Sequence, residues 1–570
     1  QVVEIQVPES WKNAEDEGLH MTHATEGRQD VIDFVNNIQA KVNAQEGNSL
    51  PVSAFKDYVD GTTPSGTAAY EKRGIAVDIP VWQSENCIQC NRCAYVCPHA
   101  VIRPVALTED ELAKAPEGTK AIDMIGMPGM KFTMTVSAYD CTGCGSCANV
   151  CPGKKGEKAL TMVSLDKNLE AQKGYDYGQT LPIKQDVIDK YKETTVKGSQ
   201  FKQPLLEFSG ACAGCGETPY AKLITQLFGD RMYIANATGC SSIWGNSSPS
   251  TPYTMNKAGK GPAWDNSLFE DNAEFGYGML LAQNAIRDGL KGKVEAVAAE
   301  QATDEVKAAC KEWLDTYGIG ALNGAATDKL VEALDGIDCP NCKDIVKNKD
   351  FLAKKSQWVF GGDGWAYDIG FGGVDHVLAS GKDINIMVYD TEVYSNTGGQ
   401  SSKATPTGAV AQFAAGGKDV KKKDLASIAM SYGYVYVAQI SMGADYAQTV
   451  KALAEAEAYP GPSLVIAYAP CINHGIKKGM DKAQTEEKLA VECGYWHNFR
   501  YNPAAEDKKF TLDSKAPTGD YQAFLKGEVR YASLALKNPD RAGALDAKNE
   551  EEAKARYQYL NKLVTLYTNN

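Results

Sequence analysis

Eight of the sixteen cysteines form two runs with the same spacing, and this repeat constrains the fold more than any other feature of the sequence. In each run three cysteines follow at intervals of three residues, and a fourth comes four residues later, directly before a proline. The runs are Cys87, Cys90, Cys93 and Cys97, then Cys141, Cys144, Cys147 and Cys151. Disulfide knots and zinc knuckles need neither the third cysteine nor the proline, so the pattern favours iron–sulfur clusters.

This is the spacing of two-cluster bacterial ferredoxins, in which the fourth cysteine of each run binds the other cluster. Three thiolates on a tight loop can bind three irons of one cubane, and the proline turn directs the fourth toward the neighbouring one. The sequence predicts one [4Fe–4S] cluster on Cys87, Cys90, Cys93 and Cys151. It predicts a second on Cys141, Cys144, Cys147 and Cys97.

Composition excludes several classes of partner. The 570-residue chain has 59 Lys and Arg against 72 Asp and Glu, and this net charge of −13 disfavours nucleic acid and anionic membrane surfaces. No apolar run of about 18 residues occurs, and the first residues resemble no signal peptide. Because cluster thiolates must stay reduced, we expect a cytoplasmic and anaerobic setting.

The chain divides into three segments. Residues 1–68 are interpreted as a connector or the remnant of a preceding domain, with one amphipathic helix that contains Val31, Val35 and Ile38. Residues 69–185 form the small α+β two-cluster ferredoxin domain. In residues 186–570, short apolar runs alternate with helical stretches, which predicts an α/β domain with a mostly parallel sheet and flanking helices. Residues 287–357 are expected to be a helical insertion, and residues 541–567 a solvated helix.

Functional groups follow four of the predicted strands, which lie near residues 231–236, 358–361, 384–389 and 463–468. These groups are Cys240, Asp363, Thr391 and Cys471. Ligands of open α/β sheets gather at the carboxyl ends of strands, so we expect all four at one edge.

Four further cysteines outside the two runs are candidates for a third metal centre. Cys212 and Cys215 form a C-x2-C turn with glycines, and Cys240 and Cys471 follow strands. The irregular spacing allows either a third [4Fe–4S] cluster or a zinc site.

The stretch Gly362-Asp363-Gly364 is followed after 25 residues by Asp390-Thr391, a layout similar to the thiamine diphosphate motif. Mg²⁺ prefers oxygen ligands and bridges a diphosphate. Asp363 offers a carboxylate, Thr391 a hydroxyl, and Val393 a backbone carbonyl. A helix that begins near Trp365 would direct its N-terminus at the phosphates.

Taken together, these features resemble one family, pyruvate:ferredoxin (flavodoxin) oxidoreductase, over about residues 60–500. Residues 207–220, 267–276 and 390–400 are similar to its characteristic stretches, and Asp390-Thr391 is the pair that this family carries. The resemblance implies oxidative decarboxylation of pyruvate with CoA to acetyl-CoA and CO2. It also implies three [4Fe–4S] clusters, thiamine diphosphate and Mg²⁺, with ferredoxin or flavodoxin as electron acceptor and a homodimeric complete enzyme.

The resemblance also implies roles for individual residues. It implies that Cys212, Cys215, Cys240 and Cys471 bind the cluster nearest the thiamine. Asn396 would be the catalytic residue closest to the reacting carbon. The cofactor would be lined by Glu217, Cys240, Gly362, Asp363, Gly364, Trp365, Thr391, Glu392, Val393, Tyr394, Ser395 and Asn396.

The chain resembles only the C-terminal half of the family's long forms. The half with the CoA domain and the carboxylate that activates the aminopyrimidine is not visible, so we expect it on a separate segment. Two alternatives stay open: an oxidoreductase for another 2-oxoacid, and a non-catalytic iron–sulfur electron-transfer subunit. Cys339 and Cys342 are expected to be unligated surface thiols, and His474 a hydrogen-bonded structural histidine.

Overall fold

A computed structural model describes residues 22–247, 250–300 and 303–568. The first 21 residues of the predicted connector, including His20, lie outside this range. Residues 29–43 form the predicted amphipathic helix, as helices Gln29–Phe34 and Ala40–Asn43 joined by the π-helical turn Val35–Gln39. Val31 and Val35 bury their side chains beside Ala24. Short 3-10 turns follow at Gly47–Ser49, Val52–Tyr58 and Thr67–Tyr70.

The ferredoxin unit contains two small antiparallel sheets. Strand β1 (Asp78–Trp82) pairs with β5 (Leu160–Ser164), and the order of the other sheet is β2 (Ile102–Leu107), β4 (Lys131–Val136), β3 (Ile122–Asp123). Pairing of β1 with β5 brings the end of the second cysteine run beside the start of the first. The helices of this unit are Arg92–Tyr95, Glu109–Ala113, Ser146–Val150, Ala171–Thr180, Gln185–Tyr191 and Val196–Ser199.

The α/β unit is built on one eight-stranded sheet of order β13-β12-β10-β11-β9-β8-β6-β7. Its strands are β6 (Met232–Ala237), β7 (Ala263–Ser267), β8 (Ser356–Gly362), β9 (Asn385–Asp390), β10 (Tyr436–Ile440), β11 (Ser463–Tyr468), β12 (Phe499–Tyr501) and β13 (Phe510–Leu512). The strands from β10 to β7 are parallel, and β12 and β13 are antiparallel. The prediction of a mostly parallel sheet is confirmed.

Helices cover both faces of this sheet, and alternate residues of each strand enter opposite cores. In β8, Val359 packs into one core, whereas Trp358 and Phe360 pack into the other. The helices are Thr218–Phe228, Cys240–Ser242, Asn272–Ala299, Asp304–Asp315, Gly320–Leu334, Pro340–Lys347, Phe371–Ala379, Leu425–Met430, Tyr446–Ala458, Ala483–Cys493, Tyr521–Gly527, Val529–Lys537 and Pro539–Leu566. Among the described residues, no helix has the length and apolar character needed to cross a membrane.

The predicted helical insertion is present and has a hydrophobic core of its own, but its first helix begins earlier, at Asn272. The predicted C-terminal helix is present as Pro539–Leu566, but it is only partly solvated, because it buries Leu545, Leu560 and Leu563. One expectation is wrong. Cys339 and Cys342 are not surface thiols, because a disulfide joins them and Cys342 is buried.

Candidate functional site

Four neighbouring parallel strands bring the predicted groups to one edge of the sheet. Tyr468 of β11 pairs with Asp390 of β9, and Tyr389 pairs with Gly362 of β8. Strand β8 in turn pairs in parallel with β6, so β6 ends at the same edge of the sheet. Cys471, Thr391, Asp363 and Cys240 therefore follow adjacent strand ends, as the sequence predicted.

The three predicted magnesium ligands present oxygen atoms to one point. The Thr391 Oγ1 hydroxyl lies 3.0 Å from Asp363 Oδ1 and 3.1 Å from the carbonyl oxygen of Val393. Ser402 donates a hydrogen bond of 2.6 Å to the second oxygen of Asp363. All three ligand residues are buried. A carboxylate, a hydroxyl and a carbonyl form a donor set that suits a hard divalent cation.

Burial, reinforced by the nearby Asp390 carboxylate, raises the pKa of Asp363 to about 8. Asp390 has compensating partners, because Tyr367 donates a 2.8 Å hydrogen bond to it and the Lys422 ammonium lies 2.7 Å away. Of the two carboxyl groups, Asp363 is the one without a fixed cation. A bound divalent cation would supply the missing positive charge.

The segment after Asp363 approaches the loop at Thr391 closely. A Cβ on Gly364 would lie 2.4 Å from the ring of Tyr394, so only glycine allows this approach. The predicted helix near Trp365 is present, as the π-helix Gly364–Ile369 followed by the α-helix Phe371–Ala379. The space between the loop and the helix start is where the diphosphate is predicted.

Glu392, predicted to line the cofactor, directs its carboxylate elsewhere. Its backbone has a φ of +61°, and its side chain accepts hydrogen bonds from Lys422 at 2.9 Å and Tyr495 at 2.6 Å. Arg530 forms an ion pair with it at 2.8 Å. Burial acts to raise the pKa of Glu392, but Lys422 and Arg530 outweigh it and lower the pKa to about 2. Asn396 is exposed four residues further along the same loop.

The third set of cysteines converges beside this loop. Burial is the largest effect on the thiols of Cys215, Cys240 and Cys471, and it raises the pKa of each. The pKa of Cys471 is raised to about 11. Cys471 is close enough to raise the pKa of Cys215 and Cys240 further. Buried thiols of this kind ionise only with a positive charge beside them, which a cluster provides.

The backbone around Cys212 is closely packed on the loop that carries Cys471. A Cβ on Gly216 would lie 2.6 Å from the nitrogen and oxygen of Pro470, and one on Gly214 would lie 2.6 Å from the carbonyl oxygen of Met480. The Glu217 N–H points at Cys215 Sγ at 3.4 Å. In the described part of the chain, no three His, Cys, Asp or Glu side chains converge closely enough for a single ion.

Ser395 connects the magnesium ligands to the cysteines. Its hydroxyl lies 2.8 Å from the Thr391 hydroxyl and is near enough to Cys240 and Cys471 to act against the rise in pKa of both thiols. The adjacent Asn473 amide donates to the Ser395 carbonyl at 3.3 Å and to Cys471 Sγ at 3.7 Å. Sequence analysis placed Ser395 in the cofactor loop but gave no sign of this bridging position.

Glu217 lies at the start of helix Thr218–Phe228, beside Cys215 and Cys240. Its carboxyl group accepts a 2.8 Å hydrogen bond from the Trp244 indole N–H. Burial raises the pKa of Glu217 to about 7. His474 is buried, with Nε2 2.7 Å from the Thr391 carbonyl oxygen, so the prediction of a structural histidine is confirmed.

The two ferredoxin sets have the predicted crossed arrangement. Cys87, Cys90, Cys93 and Cys151 line one small cavity. Cys97 and Cys144 both raise the pKa of Cys141, which burial brings to about 12. Backbone N–H groups point at several of these sulfurs, from Gln89 to Cys87 at 3.4 Å and from Ala159 to Cys151 at 3.3 Å.

The three cysteine sets lie near one another where the two units meet. Gly214, two residues after Cys212, is close enough to Cys144 for its backbone to act against the rise in pKa of that thiol. Cys93 of the remaining set is close enough to raise the pKa of Cys147. Buried His99 lies between the units, with Nδ1 3.1 Å from the Ser209 carbonyl oxygen. The only sequence signal for His99 is its position two residues after Cys97.

Three family models match the chain. Residues 22–76 match EKR, a domain of unknown function, and residues 78–155 match a 4Fe-4S dicluster domain. Residues 346–467 match the C-terminal TPP binding domain of thiamine pyrophosphate enzymes. A 2-oxoglutarate:ferredoxin oxidoreductase from Magnetococcus marinus is a structural match at 16% identity and a TM-score of 0.26, covering 46% of this chain and 65% of that chain. This likeness is too weak to support an argument.

Curated relatives match almost the whole chain. The pyruvate-flavodoxin oxidoreductase of Klebsiella pneumoniae is 55% identical over 93% of this chain and 45% of its own length. The pyruvate:ferredoxin oxidoreductase of Moorella thermoacetica is 55% identical over 98% of this chain and 48% of its own length. The chain thus belongs to the pyruvate:ferredoxin (flavodoxin) oxidoreductase family and spans about half the length of these relatives.

Proposed function

We propose that this chain is the thiamine-binding and electron-transfer part of an enzyme that oxidises pyruvate with CoA to acetyl-CoA and CO2. The observation that carries the proposal is the bridge at Ser395. Its hydroxyl lies 2.8 Å from the Thr391 hydroxyl, and the Asn473 amide donates to both the Ser395 carbonyl oxygen and Cys471 Sγ. A cation clamp for a diphosphate and a cluster site that are joined through one residue are close enough for direct electron transfer between them.

Asp363, Thr391 and the Val393 carbonyl would hold Mg²⁺, and the backbone at Gly362, Gly364 and Trp365 would face the diphosphate. Tyr394 and exposed Asn396 continue the same loop, where Asn396 would contact the substrate. When bound, thiamine diphosphate supplies the electron sink for decarboxylation of a 2-oxoacid. The chain itself contributes the buried oxygen ligands, the close approach of two loops, and the exclusion of water around Asp363.

Electrons would leave through three [4Fe–4S] clusters in series. The Cys212, Cys215, Cys240 and Cys471 cluster would come first, the Cys97, Cys141, Cys144 and Cys147 cluster second, and the Cys87, Cys90, Cys93 and Cys151 cluster last. The order is supported by the proximity of Gly214 to Cys144 and of Cys93 to Cys147, each close enough to affect the pKa of the neighbouring thiol. The last cluster would pass electrons to ferredoxin or flavodoxin in the cytoplasm.

The remaining length of the relatives would supply the CoA site and the carboxylate that activates the aminopyrimidine, in a homodimeric complete enzyme. We therefore expect no acetyl-CoA formation by the 570-residue chain alone. Pyruvate is proposed over other 2-oxoacids because the matched relatives are named for it. Comparison of pyruvate and 2-oxoglutarate turnover in the complete enzyme decides between these substrates.

Iron analysis tests the assignment of the third cluster. The anaerobically purified chain is expected to contain about twelve irons, four for each cluster. Cys471→Ser should lower this to about eight and remove one EPR signal of the reduced protein. Cys310→Ser, a buried cysteine far along the chain from every set, is the matched control and should retain all irons. An unchanged iron content in Cys471→Ser would contradict the third cluster.

Calorimetry tests the thiamine site separately. Thiamine diphosphate with Mg²⁺ should bind the complete enzyme and fail to bind its Asp363→Asn variant. Absence of binding to the unmodified enzyme would favour the alternative of a non-catalytic electron-transfer subunit.

A further inference from the structure

The disulfide between Cys339 and Cys342 lies in the helical insertion, which neither the ferredoxin unit nor the thiamine site requires. Three residues separate the two cysteines, and Cys339 is the residue that precedes helix Pro340–Lys347. The insertion has its own core, to which Leu330 and Ile345 contribute with less than 1% of their surfaces exposed. So small a ring constrains the unfolded chain little, and the surrounding helices already hold both ends.

The two sulfurs differ in access to solvent. Cys342 is 2% exposed and belongs to the core of the insertion, whereas Cys339 is only partly buried at its edge. An external reagent can therefore reach Cys339 before Cys342. The backbone N–H of Cys342 points at Cys339 Sγ at 3.0 Å, and Pro340 begins the helix between them. This N–H and the helix N-terminus stabilise negative charge on Cys339 rather than on Cys342.

Ion pairs near the disulfide occupy the charged side chains around it. The Lys343 ammonium pairs with Asp338 at 2.5 Å, and Lys293 pairs with Asp344. Disulfides in reducing compartments are usually transient and either catalytic or redox-sensing, so a bridge here calls for a redox explanation.

We propose that Cys339 and Cys342 form a reversible dithiol–disulfide couple, with Cys339 as the attacking thiol and Cys342 as the resolving thiol. The substrate class is a low-molecular-weight disulfide or its thiol. The couple makes the helical insertion a redox-responsive site separate from the clusters.

The exchange balances in two steps. The Cys339 thiolate attacks one sulfur of an external disulfide, whose S–S bond breaks, and one external thiolate leaves. Cys342 then loses its proton, and its sulfur attacks the Cys339 sulfur of the mixed disulfide and displaces the second external thiolate. The two cysteines lose two electrons together, and the external disulfide gains them as two thiols. An excess of thiol reverses both steps.

The test uses the full chain with its clusters, equilibrated without oxygen in buffers of reduced and oxidised glutathione. After an acid quench, free thiols are labelled with N-ethylmaleimide, and the peptide with Cys339 and Cys342 is analysed by mass spectrometry. We expect the peptide to change from two labels to none as one unit. Iron content measured before and after shows that the cluster cysteines do not contribute.

Single variants separate the two roles. Cys342→Ser should accumulate glutathione on Cys339, and Cys339→Ser should do so on Cys342 at least about tenfold more slowly because Cys342 is buried. Cys342→Ala repeats the first measurement in case the serine hydroxyl disturbs the core. Cys310→Ser, fully buried in the same insertion, should behave as the unmodified chain.

Three results would overturn the proposal. These are two labels at every glutathione ratio, no label even in excess dithiothreitol, and equal glutathione incorporation in both single variants. The first would show unreactive thiols, the second a permanent structural bridge, and the third the absence of an attacking and a resolving cysteine.

Discussion

Of the two buried carboxyl groups Asp363 and Asp390 at this edge of the sheet, Asp363 is the one that lacks a cationic partner. Its hydrogen bonds come from two hydroxyl groups, Thr391 and Ser402, and the nearest ammonium group, on Lys422, contacts Asp390 instead. Without a cation, a proton is the simplest way to neutralise the carboxyl group, and this agrees with its pKa of about 8. Proton and Mg²⁺ therefore compete for the same oxygen atoms.

We predict that Mg²⁺ binding strengthens as the pH rises toward 8. Below pH 8 the Asp363 carboxyl group carries a proton that the cation must displace, so affinity should rise up to about tenfold per pH unit and become constant above pH 8. Isothermal titration with Mg²⁺ and thiamine diphosphate between pH 6 and 9 measures this on the complete enzyme.

The control for this pH series is Asp520→Asn, a carboxylate that caps a helix elsewhere on the surface. It should leave the pH profile unchanged. A flat profile in the unmodified enzyme would show that Asp363 is already ionised without metal.

A second residue-scale prediction concerns Ser395. Ser395→Ala removes a hydroxyl group that favours negative charge on the sulfurs of Cys240 and Cys471, because it acts to lower the pKa of both. A polar group of this kind stabilises the more negative reduced cluster, so the midpoint potential of this cluster should fall by on the order of tens of millivolts. An EPR redox titration measures the change. Thr397→Ala, on the same loop but bonded only to its own neighbours, should leave the potential unchanged.

At the scale of single residues, the sequence predicted that Asp363, Thr391 and Val393 lie together as magnesium ligands. Their spacing follows from two successive strands and the connection between them. It did not predict that the Glu392 side chain points away. That direction depends on a φ of +61° and on partners 30 and 138 residues later, Lys422 and Arg530.

The third cysteine site depends on loop packing as well as on strand register. Gly216 lets the loop with Cys212 and Cys215 lie against Pro470, the residue before Cys471. We predict that Gly216→Ala separates the two loops and lowers the iron content from about twelve to about eight, with both ferredoxin clusters retained. Gly278→Ala, in the middle of helix Asn272–Ala299 with no atom within 4 Å of the added Cβ, is the matched control. Equal iron in both variants would contradict this account.

Strands with strong apolar runs were predictable, and polar or short ones were not. Each of the five central strands is buried for most of its length, so hydrophobicity alone indicated them. Strand β7 lies at the edge of the sheet and has no fully buried residue, while β12 and β13 have three residues each. The positions of β7, β12 and β13 in the sheet are determined by the surrounding fold and not by their own residue pattern.

Lys222 joins the two units of the molecule. Its ammonium group is buried under the ferredoxin unit, where it donates to the carbonyl oxygens of Ala94 and Tyr95, the latter at 2.9 Å, near Cys93 and Cys97. Burial lowers the pKa of Lys222 to about 8. Below that pH the ammonium group is charged and favours the more negative, reduced clusters.

We therefore predict that Lys222→Met lowers the midpoint potentials of both ferredoxin clusters by on the order of tens of millivolts at pH 7. In the unmodified protein the potentials should fall further as the pH rises through 8 and the lysine loses its charge, whereas the variant should lack this step. Redox titration followed by EPR at pH 7 and 9 measures both effects. Lys173→Met on an exposed helix is the control, and a matching change in that variant would refute the role of Lys222.

No spacing in the sequence indicated which surfaces of the two units meet. The ferredoxin residues Tyr95 and Val96 share a core with helix Thr218–Phe228, more than 120 residues away along the chain. That helix is buried over its whole length because it has the sheet on one side and the ferredoxin unit on the other.

The parallel strand register also has a consequence for when each proposed cluster could be inserted during biogenesis. Both ferredoxin sets lie within 65 consecutive residues, so a nascent chain can receive those clusters early. The third set spans 260 residues, from Cys212 to Cys471, and comes together only when β6, β8, β9 and β11 have aligned. Maturation machinery would therefore have to deliver the last cubane to an already folded acceptor.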